Sequence, residues 1–333
     1  MSHITYPEAA VVGIIQGITE LFPVSSLGHN VLLPALIGGT WAQDLNVAST
    51  ESPYLAFIVG LHVATAIGIM AYFWRDWLRI IAGFFSSIRN MELRTTDQKL
   101  AWMIIFATIP VGLIGLIFEH EFRVLFAKPI RAAIFLIVNG VILYAGERFR
   151  TRASRRADAA LEEAPDRERE PELAQAGVGR VTAAHASGQR ALRQEEAAIA
   201  IRADERLAGM GYVRATVIGT VQILALLAGI SRDGVSMVAG MFAGLAREDA
   251  ARFAFLLATP VILAAGLLKI PDLTGPLGHG IHGQIVLGSI LSGVGAYVSV
   301  RYLVRYFQTR TLTPFAIYCV LFGLGSAIFL TVN

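Results

Sequence analysis

Gln16-Gly17-Ile18-Thr19-Glu20-Leu21-Phe22-Pro23-Val24-Ser25-Ser26-Leu27-Gly28-His29 is a polar run inside a segment that is otherwise apolar from Ala9 to Ile37. A second interruption, Gly229-Ile230-Ser231-Arg232-Asp233-Gly234, breaks the apolar run from Val217 to Leu245. Each stretch reads as a short helix, a break at Pro or Gly, and a second short helix. An ionisable side chain at bilayer depth costs about 2.5–3.5 kcal/mol even on the mildest scale, so it marks a functional site by default.

The rest of the chain puts a membrane around these breaks. Of 333 residues, 55% are hydrophobic and only 16% charged, with mean hydropathy +0.58. Soluble domains carry roughly 25% charged residues. The net charge is +3, but the basic residues cluster beside apolar runs. That fits membrane topology and contact with membrane lipids, not nucleic acid. No Lys or Arg precedes the first apolar stretch, so no cleavable leader is expected. The lone Cys319 excludes an intrachain disulfide.

Six apolar runs have the length of a spanning helix, about 17–25 residues: Tyr54–Trp74, Leu100–Phe118, Ile130–Gly146, Phe253–Ile270, Ile285–Val300 and Pro314–Val332. Trp41, Tyr54, Trp74, Trp77, Trp102, Tyr302 and Tyr306 fall near span ends, where amphipathic rings prefer the headgroup level. Gln16 stands nine residues ahead of Ser25, and Gln222 nine ahead of Ser231. Three spans follow each interrupted run, so one unit is written twice.

Lys and Arg counts decide whether the interrupted runs cross or turn back. With both as re-entrant hairpins, one face collects fifteen Lys/Arg, from Arg75–Lys99, Arg148–Arg156, Arg247, Arg252, Arg301, Arg305 and Arg310. The other face holds four: Arg123, Lys128, Arg131 and Lys269. With both crossing, the split is eleven to eight. Cytoplasmic loops are Lys/Arg-rich, so the chain is expected to be an all-α integral membrane protein of six transmembrane helices plus two re-entrant helical hairpins, arranged as inverted-topology repeats. Residues 1–146 form the first repeat, with its hairpin at about 9–37. Residues 147–210 form a polar cytoplasmic insert, and 211–333 the second repeat, with its hairpin at about 217–245. The setting is a plasma membrane crossed several times, with both termini outside. The insert is rich in Arg, Glu and Ala; it reads as a solvated charge run, carrying ion-paired helix or partly disordered.

Gln16 and Glu20, four apart, share one face of the first short helix. Pro23 ends that helix, and Ser25 or Ser26 fits the N-cap of the next, Leu27–Ile37. Serines as caps and His29 as an interior histidine is the bland reading; the nearby Glu20 tips it toward chemistry. In the second hairpin Arg232 carries a permanent charge in a two-pronged geometry suited to phosphate. The bland alternative is that it pairs with Asp233 or Glu20 and ties the hairpins together. Broken helices of inverted repeats bring N-termini to the midplane, where N–H groups and the dipole favour an anion. Both breaks point to one phosphate-sized site, open to a divalent cation held through carboxylate oxygen. His62 and Thr65 lie mid-span one turn apart, as site lining or as an interior polar pair. Gln222 mirrors Gln16, Asn139 reads as interhelical glue, and His279 and His282 make no metal constellation.

The first stretch resembles the (E/Q)GxTEFLPVSSxGH motif of the bacterial undecaprenyl-diphosphatase family, the bacitracin-resistance type, and Gly229–Ser236 resembles its PGxSRSGxT motif. The similarity extends through Phe253–Pro260 and Thr313–Tyr318, nearly the whole chain except the insert. The resemblance implies hydrolysis of a polyprenyl diphosphate substrate, undecaprenyl diphosphate, to the monophosphate and inorganic phosphate. That recycles the lipid carrier for cell-wall synthesis and confers bacitracin resistance. It implies a site opening to the outer face and a divalent cation, Mg²⁺ or Ca²⁺; the sequence leaves a homodimer open. Carried over, Glu20 is a metal ligand or base, Ser26 a nucleophile or phosphate ligand, His29 an acid/base or nucleophile, and Arg232 the phosphate clamp. Ser25, Ser231 and Gly229 join in phosphate binding, and Gln16 and Asp233 are further candidates for the metal. Ala228 in place of Pro, Asp233 in place of a small hydroxyl residue, and the long insert depart from the family pattern. The alternative function is a membrane transporter or flippase for a polyprenyl phosphate, since inverted repeats with broken helices are transporter architecture.

Overall fold

The computed structural model describes residues 4–45, 53–126, 128–162, 198, 200–268, 275 and 280–332, and every regular element among them is helical. Helix α1 (Tyr6–Thr19) starts at Thr5, whose hydroxyl accepts from the Glu8 N–H while the Glu8 carboxylate accepts from the Thr5 N–H. That reciprocal cap satisfies two of the donors a helix start leaves open. After a turn come α2 (Ser26–Ile37) and the short α3 (Gly39–Asp44). Then follow α4 (Pro53–Tyr72), α5 (Trp74–Asn90), α6 (Thr96–Phe126) and α7 (Pro129–Glu162). Helix α8 (Ala200–Gly209) precedes α9 (Tyr212–Val221), which tightens into a 3-10 turn at Gln222–Leu226. The chain closes with α10 (Arg232–Phe242), α11 (Arg247–Leu268), α12 (His282–Thr309) and α13 (Thr313–Val332).

Among the described residues, five helices are long and apolar enough to cross a membrane, within α6, α7, α11, α12 and α13, or up to seven if each of two bent pairs counts as one span. The bent pairs are Phe57–Tyr72 with Trp74–Asn90, at 88°, and Ala200–Gly209 with Tyr212–Leu226, at 98°. The sequence carried the span from Tyr54 to Trp74, but the helix turns at Phe73. The reason lies downstream. On α5, Trp74, Leu78, Ile81, Phe85 and Ile88 form an exposed stripe, while Ile80, Gly83 and Ser87 are buried and the helix packs on α6. A one-sided apolar stripe beside arginines suits a membrane surface, not the hydrocarbon interior. The polar insert expected from Glu147 is helical as far as Glu162, as a continuation of α7. Residues 163–197 of the insert, together with Lys269 and His279, lie outside the described residues.

Small residues set the helix spacing. A Cβ on Gly13 would lie 2.5 Å from the Gly288 carbonyl oxygen, and one on Gly17 2.4 Å from that of Ser292, so α1 and α12 touch backbone to backbone. Without a hydrophobic drive between helices in lipid, such close approach is what packing gains from. Helix α4 packs on α12 and α11, α7 on α13 and α10, and α6 on α9. Away from the spans, Arg79 is paired with Asp76, Asp97 and Asp204, and Arg252 with Asp76 and Asp204. Those pairs, with Arg206 on Asp249, dock α8 against α5, α6 and α11. Arg247 and the backbone N–H of Leu312 share the Glu147 carboxylate, joining α11, α7 and the start of α13.

Candidate active site

Two chain breaks meet at the centre. The first, residues 20–25, ends α1 and swings into α2 through Ser25, a non-glycine at φ 68. The second, residues 227–231, turns through Gly229 at φ 111, with the Ala132 carbonyl oxygen 2.4 Å from where a Cβ would sit. Only glycine fits there, by backbone conformation and by space. Ser25 Oγ caps α2 by accepting from the Gly28 N–H at 3.2 Å, and accepts from the Gly229 N–H of the other tip at the same distance. Asn139 on α7 completes the join: its Nδ2 donates to the Pro23 carbonyl (2.9 Å) and its Oδ1 accepts from the Ser231 N–H (3.0 Å). Ser231 Oγ caps α10 at the Gly234 N–H.

Glu20 and Arg232 face each other across this junction. The carboxylate Oε1 accepts from a terminal guanidinium nitrogen of Arg232 at 2.5 Å. Oε2 accepts from Gln16 Nε2 at 2.9 Å and from the Ser26 hydroxyl, and His62 Nε2 lies 3.5 Å from it. His62 Nδ1 donates to the Ile58 carbonyl, one turn back on α4, which fixes the ring. Glu20, Ser25, Ser26, His62, Ser231 and Arg232 line one cavity of about 620 Å³, whose remaining wall is mostly apolar side chains from α4, α6, the 3-10 turn and α11. A polar head and an apolar flank in one cavity suit an amphiphile.

Four candidates sit elsewhere. His29 turns away from the cavity toward α13: its Nδ1 donates to the Ser25 carbonyl and its Nε2 lies 2.7 Å from Tyr318 Oη, with its ring stacked on Phe322. Gln16 stands behind Glu20, its Oε1 accepting from Asn30 Nδ2. Asp233 is fully buried outside the cavity lining, 3.7 Å from Arg232 Nε. The Gly229 N–H is taken by Ser25. Thr65 bonds Ser292 across the α4–α12 contact, an interior pair, whereas His62 belongs to the site. Among the described residues no group of three or more His, Cys, Asp or Glu side chains is placed to hold a metal ion. The arrangement is an arginine held by a carboxylate, with a hydroxyl bonded to that same carboxylate.

Residues 9–325 match the family described as bacitracin resistance protein BacA. An undecaprenyl-diphosphatase of Mycolicibacterium paratuberculosis is 56% identical over 332 residues, covering 100% of this chain and 99% of its own. Undecaprenyl-diphosphatase 2 of Frankia alni is 53% identical, covering 97% of each chain. Undecaprenyl-diphosphatase 2 of Burkholderia thailandensis is 36% identical, covering 93% of this chain and 92% of its own. A carboxylate–arginine pair at the head of a largely apolar cavity, on an all-helical frame, is what the geometry defines. The chain belongs to the BacA bacitracin resistance family.

Proposed function

We propose that this chain hydrolyses undecaprenyl diphosphate to the monophosphate and inorganic phosphate, and so recycles a lipid carrier for cell-wall synthesis and confers resistance to bacitracin. The names of its relatives support that substrate. One observation carries the chemistry: Glu20 and Arg232, far apart in sequence, meet in a cavity with a polar head and an apolar flank.

The incoming diphosphate displaces Glu20 from Arg232, whose planar fork then holds non-bridging oxygens where charge develops. The freed carboxylate still accepts from Ser26, the pairing of hydroxyl with base that activates a nucleophile. Ser26 Oγ attacks the terminal phosphorus and its proton passes to Glu20. The bridging P–O bond breaks, and undecaprenyl monophosphate leaves. Water then attacks the phosphoserine, releasing inorganic phosphate and restoring the hydroxyl. His62, at the cavity wall, stands nearer to this proton traffic than His29.

For the divalent cation, the donor chemistry fits Glu20, since Mg²⁺-type sites take one or two carboxylates and complete their shell with substrate phosphate oxygens and water. Gln16 and Asp233 lie outside the cavity, which argues for Glu20 alone. When bound, such a cation neutralises charge on the diphosphate.

We further propose six spans and two re-entrant hairpins in inverted repeats, 1–146 and 211–333, around the 147–210 insert. Helix contacts support it: α1 on α12 is answered by α9 on α6, while α4 touches its counterpart α11 and α7 its counterpart α13. The Lys/Arg count favours termini on the outer face and the insert inside, and the family resemblance a site that opens outward. The same architecture favours lipid transport as a second reading. A phosphate-release assay on undecaprenyl diphosphate in detergent, with and without EDTA, decides. An enzyme releases phosphate without any compartment; a pure carrier releases none.

A further inference from the structure

Gln16 and Gln222 occupy matching places, each nine residues ahead of a capping serine at a chain break. Their surroundings differ. Both ends of the Gln16 carboxamide are satisfied inside the protein, by Asn30 and by Glu20. Gln222 is 1% exposed, and neither Nε2 nor Oε1 has a hydrogen-bond partner among the described residues. It starts the 3-10 turn that leads to the second chain break, and it lines the cavity together with Ser231 and Arg232.

An unpaired buried amide costs about 1–3 kcal/mol for each group left unsatisfied. Native chains keep such groups where strain, catalysis or an occupant explains them. A leucine would fill the same volume at no such cost, and the neighbouring wall is already apolar, with Ala225 and Leu226 beside it. The cavity next to Gln222 is where the diphosphate head must lie if Arg232 holds it. A ligand held there would supply a partner for Gln222.

We propose that Gln222 is a substrate-contacting residue, its Nε2 donating to a non-bridging phosphate oxygen of the lipid diphosphate that Arg232 holds, and its Oε1 accepting from a water in the same cavity. This rests on the phosphatase reading above. Of the two mirror-related glutamines, one orders the catalytic carboxylate and the other receives the ligand.

The test compares wild type, Gln222→Leu and Gln222→Glu, purified in detergent, for phosphate release from undecaprenyl diphosphate and for thermal unfolding without substrate. Gln222→Leu should raise KM by roughly 10–100-fold, the loss of one hydrogen bond to a charged group, with kcat changed far less. Its unfolding temperature should hold or rise, because two unsatisfied atoms are gone. Gln222→Glu should be worse still in KM, since a carboxylate then faces the phosphate. A Gln222→Leu enzyme with wild-type KM overturns the proposal, as does a fall in its unfolding temperature, which would reveal an internal partner. A wild-type protein that releases no phosphate removes the phosphatase reading itself, and the contact with it.

Discussion

Glu20→Gln and Arg232→Lys probe opposite halves of one ion pair. The glutamine keeps the shape and the bonds to Gln16 and Ser26 but cannot take a proton from the serine. Turnover should fall by a factor on the order of 10²–10⁴, the contribution of a positioned base, in a protein that still folds. Arg232→Lys keeps the charge and loses the fork; kcat should drop by about 10²–10³, the effect of removing one charge-stabilising donor set. Near-normal phosphate release from either variant would take that residue out of the mechanism. Asn139 calls for a different measurement. Asn139→Leu strips partners from the Pro23 carbonyl and the Ser231 N–H at once, so thermal unfolding should register a loss of about 2–4 kcal/mol. At this scale the sequence was informative where cost was visible: a carboxylate and a guanidinium at bilayer depth are too expensive to be filler. It was less informative about direction. Nothing in Pro23-Val24-Ser25-Ser26 announces that Ser25 takes φ 68, and that twist sets the rotational phase of α2, leaving Ser26 on Glu20 and His29 on Tyr318. His62, one polar residue in a mid-span run, carried no mark to separate it from Thr65.

The helical breaks hold their shape through backbone contacts that tolerate no added atom. Gly229→Ala puts a Cβ 2.4 Å from the Ala132 carbonyl oxygen at a φ that L-residues avoid, so it should sharply reduce the yield of folded, monodisperse protein in detergent. Gly115→Ala is the matched control, since its Cβ would meet nothing within 4 Å; it should express and melt like wild type. Elements were legible in the sequence in proportion to their apolar length. The five long spans and both interrupted runs stand where hydropathy put them, but α6 runs on to Phe126, α7 to Glu162 and α12 to Thr309, well past the apolar runs. The bend at Phe73 was not legible, because Tyr72-Phe73-Trp74 contains neither Pro nor Gly. What turns the chain is the one-sided pattern of the helix that follows. The extension of α7 to Glu162 was hidden for the opposite reason, a helix persisting on charged residues after its apolar face has ended.

At the scale of the whole molecule, the proposed orientation rests on charge. Single cysteines answer it cleanly because Cys319 is buried. A cysteine at Gly280 should react with a membrane-impermeant maleimide added to intact cells, and one at Arg89 only after lysis; the reverse pattern would invert the proposed topology. The docking of α8 rests on charge of another kind. Arg252→Leu leaves Asp204, itself fully buried, with Arg79 alone, and should destabilise the protein by about 3 kcal/mol in thermal unfolding. Which acidic residues meet Arg79 and Arg252 was beyond the sequence, since Asp76, Asp97 and Asp204 come from three different helices. The closed Glu20–Arg232 contact has one more effect. The carboxylate is a tethered competitor, always present at high local concentration, so any free anion must outbid it. Orthophosphate, lacking a prenyl tail to anchor it, loses that contest. The catalyst should therefore shed its inorganic product readily and show weak product inhibition, with half-inhibition only in the millimolar range.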